Sequence, residues 1–207
     1  MNILVVSSSA NGDASVSSGL AGRFVDSVRE HNPGAHVVLR DVGANPLPHL
    51  TSATVAAIKG EPATPAEREA RRLSDALVEE LRQADLIVIA SPMYNFGISS
   101  TLKSWFDHVL RAGLTFRYTE AGPEGLLTGK KTVVIESRAG FYSEGQGAAM
   151  DGQEPHIRTM LGFVGLDDVA WIRAEKLAFG PEAAAQAIED AAAALGLIAR
   201  EALPLAA

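Results

Sequence analysis

Asn2-Ile3-Leu4-Val5-Val6-Ser7-Ser8-Ser9-Ala10-Asn11-Gly12-Asp13-Ala14-Ser15-Val16-Ser17-Ser18 begins as a short aliphatic run and ends in a loop of hydroxyls and small residues. A run that is apolar at consecutive positions, without alternation, is the pattern of a strand covered on both faces of a parallel sheet. Beyond the loop, Leu20, Phe24 and Val28 lie four residues apart, the spacing of one helix face. Strand, polar turn and helix thus follow one another at the N-terminus.

The same unit recurs along the chain. Val37-Val38-Leu39, Leu86-Ile87-Val88-Ile89-Ala90, Val133-Val134-Ile135 and Val169-Ala170-Trp171-Ile172 supply further strand-length runs. The first of these is flanked by His36 and Arg40, which places it towards a sheet edge. Helical spacing fills the gaps: Leu73, Leu77 and Leu81; Ile98, Leu102, Trp105, Phe106 and Val109; Ile157, Met160, Leu161 and Val164; and an alanine-rich stretch from Ala183 to Ala199. Thr64-Pro65-Ala66-Glu67 reads as a capping box with proline at N1, and Gly180-Pro181-Glu182 puts proline in another first turn. Strands alternating with helices predict an α/β fold: five parallel strands joined by right-handed crossovers, in one domain over residues 1–207. Two stretches read as insertions, Gly43 to Gly60 and Gly113 to Gly129.

Composition narrows the function. The 207 residues are 47% hydrophobic and 21% charged, enough apolar content for a real core. Lys+Arg 18 against Asp+Glu 25 gives a net charge of -7 with no cluster of basic residues, which argues against nucleic acid and against anionic membrane surfaces. No stretch approaches the roughly 20 apolar residues that span a bilayer. The N-terminus has neither a basic flank nor a signal-like apolar core, so a cytoplasmic protein is expected. Absence of cysteine removes disulfides, thiolate metal sites and cysteine nucleophiles. His31, His36, His49, His108 and His156 show no metal-ligand spacing, and no metal is expected. Asp107-His108 reads as a solvated face or a structural hydrogen bond, and Asp167-Asp168 as the end of a loop.

Ligands of open α/β sheets bind beyond the carboxyl ends of the strands, where the strand order reverses. The loops that matter here are Ser7 to Ser18, Ser91 to Gly97 and Ser137 to Gly147. In the first, hydroxyls followed by a helix N-terminus can hold a phosphate without a cation, and no Lys or Arg occurs before Arg23. The same residues also suit a plain serine-capped βα loop. Alternatives are absent: there is no G-x-G-x-x-G, no G-x-S-x-G, and Gly129-Lys130-Lys131-Thr132 lacks the earlier glycine of a phosphate-binding P-loop. In the second loop, Met93, Tyr94, Asn95 and Phe96 gather aromatic, thioether and amide groups on one turn. That set fits the face and edge of a flat heteroaromatic ligand, or local packing over the sheet end. Arg138, in the third, is a binding residue or a surface ion pair.

Pro92-Met93-Tyr94-Asn95-Phe96, Arg111-Ala112-Gly113-Leu114-Thr115-Phe116-Arg117-Tyr118-Thr119-Glu120 and Gly122-Pro123-Glu124-Gly125-Leu126 closely resemble the bacterial FMN-dependent NADH-azoreductases, also described as quinone reductases. Thr128-Gly129-Lys130-Lys131, Leu161-Gly162-Phe163 and Ala178-Phe179-Gly180-Pro181-Glu182 extend the likeness nearly end to end. The resemblance implies a flavodoxin-like three-layer sandwich with sheet order 2-1-3-4-5, helices on both faces, FMN as cofactor, NADH as donor and a homodimer. It assigns Ser9, Ser15, Val16 and Ser17 to the FMN phosphate, Met93, Tyr94, Asn95 and Phe96 to the isoalloxazine ring, and Ser137, Arg138, Ala139 and Gly140 to its pyrimidine side. Tyr118 and Phe163 become candidates for the substrate space. The resemblance further implies that hydride would pass through flavin N5 to a quinone or azo compound in a ping-pong sequence, so no side chain is assigned as catalytic. A flavodoxin-like electron carrier serving a protein partner is the alternative. Two residues depart from the family pattern: Val16 stands where glutamine is frequent and Ala139 where glycine is usual, which matters if that position needs a positive φ.

Overall fold

The computed structural model describes residues 1–201; residues 202–207 of the expected domain lie outside the described residues. Its elements run β1 (Asn2–Ser7), α1 (Val16–His31), β2 (His36–Asp41), α2 (Val55–Lys59), α3 (Pro65–Gln83), β3 (Leu86–Pro92), α4 (Ser100–Val109), β4 (Phe116–Thr119), β5 (Gly122–Gly125), β6 (Lys131–Ser137), α5 (Glu154–Val164), β7 (Asp168–Ala174) and α6 (Pro181–Glu201). Five strands form a parallel sheet in the order β2-β1-β3-β6-β7. The charge-flanked run of β2 lies at an edge, as its flanks predict.

Alternation along each strand divides the core in two. Leu4, Val6, Ile87, Ile89 and Val134 face one side, against Leu77 and Leu81 of α3, Leu102, Trp105 and Phe106 of α4, and Ile157 and Leu161 of α5. Ile3, Val5, Val88, Val133 and Ile135 face the other, against Leu20, Phe24 and Val28 of α1 and Leu195 of α6. Every residue of β3 is buried, so the central strand reads as an unbroken apolar run and not as an alternating one. Each such aliphatic side chain contributes about 1.5–3 kcal/mol of burial.

The helix starts follow their caps. Thr64 and Glu67 form the reciprocal capping box of α3, and α6 begins at Pro181. Ser15 caps α1, its Oγ accepting from the Ser18 N–H at 3.2 Å.

The two insertions have structure of their own. Residues 113–129 contain the antiparallel hairpin β4–β5, which lies outside the main sheet and carries an Arg117–Glu124 ion pair at 2.8 Å. The sequence hides it because β5 is Gly-Pro-Glu-Gly, a turn-like composition. A Cβ on Gly125 would stand 2.1 Å from the Gly165 nitrogen, so glycine is what lets the hairpin lie against the end of α5. Residues 43–60 hold α2 and are tied to α4, where His108 Nε2 lies 2.9 Å from the Pro48 carbonyl and Ser104 Oγ donates to it at 3.2 Å. His108 is buried, which excludes a solvated face for it, and its role is the structural hydrogen bond. Asp107 pairs with Lys103.

Candidate functional site

The sheet register brings the strand ends together. Ser7 pairs with Ala90, and Pro92 with Ser137, so the turns leaving β1, β3 and β6 start side by side. Hydrogen bonds continue the alignment past the ladder. The Ala10 N–H donates to the Tyr94 hydroxyl at 3.0 Å, joining the first turn to the second. The Met93 N–H donates to the Ser137 carbonyl at 2.9 Å, joining the second to the third. Val42 and Gly43 N–H groups both reach the Ser7 carbonyl, and a Cβ on Gly43 would come within 2.0 Å of the Ser9 carbonyl oxygen. Only glycine lets the turn after β2 back onto this loop so closely.

The first turn is a donor array without a cation. Ser9, Ser15 and Ser17 are buried, and Ser15 Oγ lies 3.4 Å from Ser17 Oγ. Ser18 is capped, whereas helix geometry leaves the Val16 and Ser17 N–H groups with no intrahelical acceptor. These two donors lie at the positive end of the α1 dipole. Asp13, the acidic residue of this loop, is exposed.

The second turn is backbone-strained. Tyr94 and Gly97 exchange both hydrogen bonds, at 2.9 and 3.0 Å, around Asn95 (φ 47) and Phe96 (φ 71). Positive φ at both central residues is the type I′ arrangement, usual for Asn and Gly and costly for Phe. Phe96 is held nonetheless, the residue 49% exposed and its ring 6.0 Å, edge-on, from that of Tyr142.

In the third turn, Ala139 does not have a positive φ, so alanine there is unstrained. Arg138 is a correction to the surface ion-pair reading: its side chain is buried, its N–H donates to the Ala174 carbonyl and its own carbonyl accepts from the Leu177 N–H. The guanidinium pairs with Glu136 at 2.7 Å, Asp151 at 3.1 Å and Glu175 at 3.1 Å. Burial alone would lower Arg138; Glu136, Asp151 and Glu175 more than offset it and hold it above its usual range. Burial pushes the Glu136 carboxyl up to about 7, with Arg138 opposing and Glu154 and Asp151 reinforcing. Glu175 opposes its own burial with bonds from Ser143 Oγ (2.5 Å), the Tyr142 N–H (2.9 Å) and Arg138, which hold it below the usual carboxylate range.

The structure therefore gathers Ser9, Ser15, Val16, Ser17, Met93 to Phe96 and Ser137 to Gly140 at one end of the sheet. Tyr118 and Phe163 share a neighbour instead: each ring lies against Phe116, with centroids 5.5 and 4.6 Å away. Sequence reasoning missed Tyr142, Glu175 and Gln153, polar or aromatic residues behind the turns. No periodicity marks them, although Gln153 stands just before the Glu-Pro that starts α5.

Known proteins resemble this chain over nearly its whole length. An FMN-dependent NADH:quinone oxidoreductase of Hyphomonas neptunium is 55% identical over 96% of this chain and 96% of its own. One of the same name from Escherichia coli strain K12 is 48% identical over 95% of this chain and 97% of its own. Among solved structures, an azoreductase from Bacillus anthracis superposes with a TM-score of 0.89 at 28% identity, covering 97% of this chain and 99% of its own. The sequence model of the flavodoxin-like fold matches residues 1–197, and the chain belongs to that family.

Proposed function

We propose that this chain is an FMN-dependent NADH:quinone oxidoreductase that also reduces azo compounds, acting as a cytoplasmic homodimer. The observation that carries the reading is the convergence of three strand-end turns through the Ala10–Tyr94 and Met93–Ser137 hydrogen bonds. The residues present fit FMN: two N–H groups without intrahelical acceptors at the start of α1, flanked by buried hydroxyls, suit a phosphate. The names of relatives at 55% and 48% identity support the same assignment. Counting only the five strands of the main sheet, its order is 2-1-3-4-5, which supports one FMN-binding domain over residues 1–207.

Ser9 and the Ser15-Val16-Ser17 turn bind the phosphate through neutral donors. Met93, Tyr94, Asn95 and Phe96 cover and orient the isoalloxazine ring, and Ser137 to Gly140 meet its pyrimidine edge with backbone groups. Val16 replaces the family's glutamine without loss, because its contact is the N–H. When bound, FMN supplies hydride transfer from NADH to the acceptor. The protein orients the reactants and excludes water, and no side chain serves as nucleophile or metal ligand. No helix among the described residues is long and apolar enough to cross a membrane. Tyr118, 74% exposed and edge-on to Phe116, which also meets Phe163, offers an aromatic surface for the second subunit and the acceptor.

An absorption spectrum of the purified chain, recorded before and after NADH, tests the reading. Flavin bands that bleach rapidly and return with a quinone are expected. Colourless protein that takes up no added FMN refutes it, and slow bleaching favours an electron carrier.

A further inference from the structure

Behind two of the three turns lies the segment Asp151-Gly152-Gln153. The Gln153 side chain is buried and its amide meets two fixed partners. Nε2 donates to the Ser91 carbonyl at 2.7 Å and to its hydroxyl at 3.1 Å. Oε1 accepts from Arg138 Nε at 3.0 Å. A carbonyl only accepts and a guanidinium only donates, so the amide has one possible orientation. Its neighbours extend the link: the Gly152 N–H donates to the Phe96 carbonyl at 2.8 Å, and Asp151 Oδ2 pairs with Arg138 Nη2 at 3.1 Å. Asp151 Oδ1 meanwhile accepts from the N–H groups of Gln153 (2.8 Å) and Glu154 (3.1 Å), which locks the segment to the start of α5.

The β3–β6 ladder ends at Pro92 and Ser137, with the Met93 N–H as its last rung. Beyond that rung the two turns share the Phe96–Tyr142 ring contact and this segment. We propose that Gln153 is a positioning residue that fixes the spacing between the Met93–Phe96 and Ser137–Gly140 turns, and thereby the fit of the flavin between them. The inference rests on the FMN reading above. An amide is what the place requires. A carboxylate would keep the acceptor for Arg138 and lose the donor to Ser91, beside a guanidinium that already faces Glu136, Asp151 and Glu175. An aliphatic side chain would lose both and leave buried polar groups unpaired.

The test uses the full chain as Gln153→Leu and Gln153→Glu, with FMN titrated and followed by flavin fluorescence and visible circular dichroism. Both variants are expected to bind FMN about ten- to a hundredfold more weakly, from the buried bonds lost, and to show an altered visible dichroism of whatever FMN is bound. Leu161→Ala, a core change on α5, controls for general destabilisation. It should lower the melting temperature and leave the affinity and dichroism of bound FMN unchanged. If Gln153→Leu fails to fold, Gln153→Glu decides, since it keeps the Arg138 acceptor. Wild-type affinity and dichroism in the variants would overturn the positioning role alone. A wild-type chain that takes up no FMN overturns the functional reading with it.

Discussion

Glu136→Gln should flatten the pH dependence of stability. The Glu136 side chain lies on β6, wholly buried, with one oxygen 2.7 Å from Arg138 Nη2 and the other, Oε1, without a hydrogen-bond partner. Burial pushes its carboxyl from 4.5 to about 7. The folded state therefore holds this proton more tightly than the unfolded chain. The stability it contributes is complete below pH 4.5 and is lost as pH rises through 7. Between pH 5 and pH 8 the loss amounts to about 2.5 kcal/mol. Glu154 and Glu175, held below the usual range, act in the opposite sense and on the acid side, where their protonation removes stability. Glutamine keeps the acceptor for Arg138 and cannot ionise. Urea unfolding of FMN-free wild type and variant, at one protein concentration and followed by the fluorescence of Trp105 and Trp171, measures the difference. The variant should gain on wild type by about 2.5 kcal/mol from pH 5 to pH 8. Parallel profiles, with a constant difference across that range, would refute the reasoning.

Val16→Pro removes one N–H at N1 of α1, a position where proline fits, so FMN affinity should fall about tenfold while the helix stays intact; unchanged affinity in a fluorescence titration would remove Val16 from the phosphate seat. Tyr94→Ala and Asn95→Ala should weaken FMN binding, whereas His108→Ala, whose ring is tied to Pro48, should lower the melting temperature and leave affinity alone. Equal losses in all three would indicate misfolding. Thr64→Ala, which breaks the α3 capping box, should cost about 1 kcal/mol in denaturant without altering bound flavin.

Much of this was legible in the sequence, for reasons that differ by element. Strands β1, β3 and β6 declare themselves because burial on both faces leaves little room for polar residues, whereas the edge strands β2 and β7 are read from short apolar runs with polar flanks. α3 and α6 declare their starts through Thr64 and Pro181, since caps are local interactions. The hairpin β4–β5 packs against α5, a contact between residues distant in sequence that no local pattern records. The site divides in the same way. Its face is readable as clusters in sequence, Ser15-Val16-Ser17 and Met93-Tyr94-Asn95-Phe96. Its support is not: Arg138 resembles any loop arginine until Gln153 and Glu175 are seen to enclose it.

On the FMN reading, the distribution of strain and charge separates the parts of these turns that would hold the flavin from those that serve the fold. Among the described residues, the non-glycine residues with left-handed backbone are Asn95, Phe96 and Lys176. The first two form the Met93–Phe96 turn, and the N–H of the third donates to the Gly140 carbonyl at 2.8 Å. Each such conformation costs about 1–2 kcal/mol for an L-residue. A two-residue connection built on glycine would close the same hairpin without that cost. The sheet and its crossovers do not need phenylalanine at φ 71; what needs it is the placing of a large ring at the open end of the strands. Charge is sorted in the same direction. A flavin carries a phosphate and becomes anionic when reduced, so a carboxylate facing it would oppose both binding and reduction. The turns accordingly present hydroxyls, amides and rings. Glu136, Asp151 and Glu175 are grouped on the Arg138 guanidinium, whose ion pairs and hydrogen bonds tie β6, β7 and the start of α5 together.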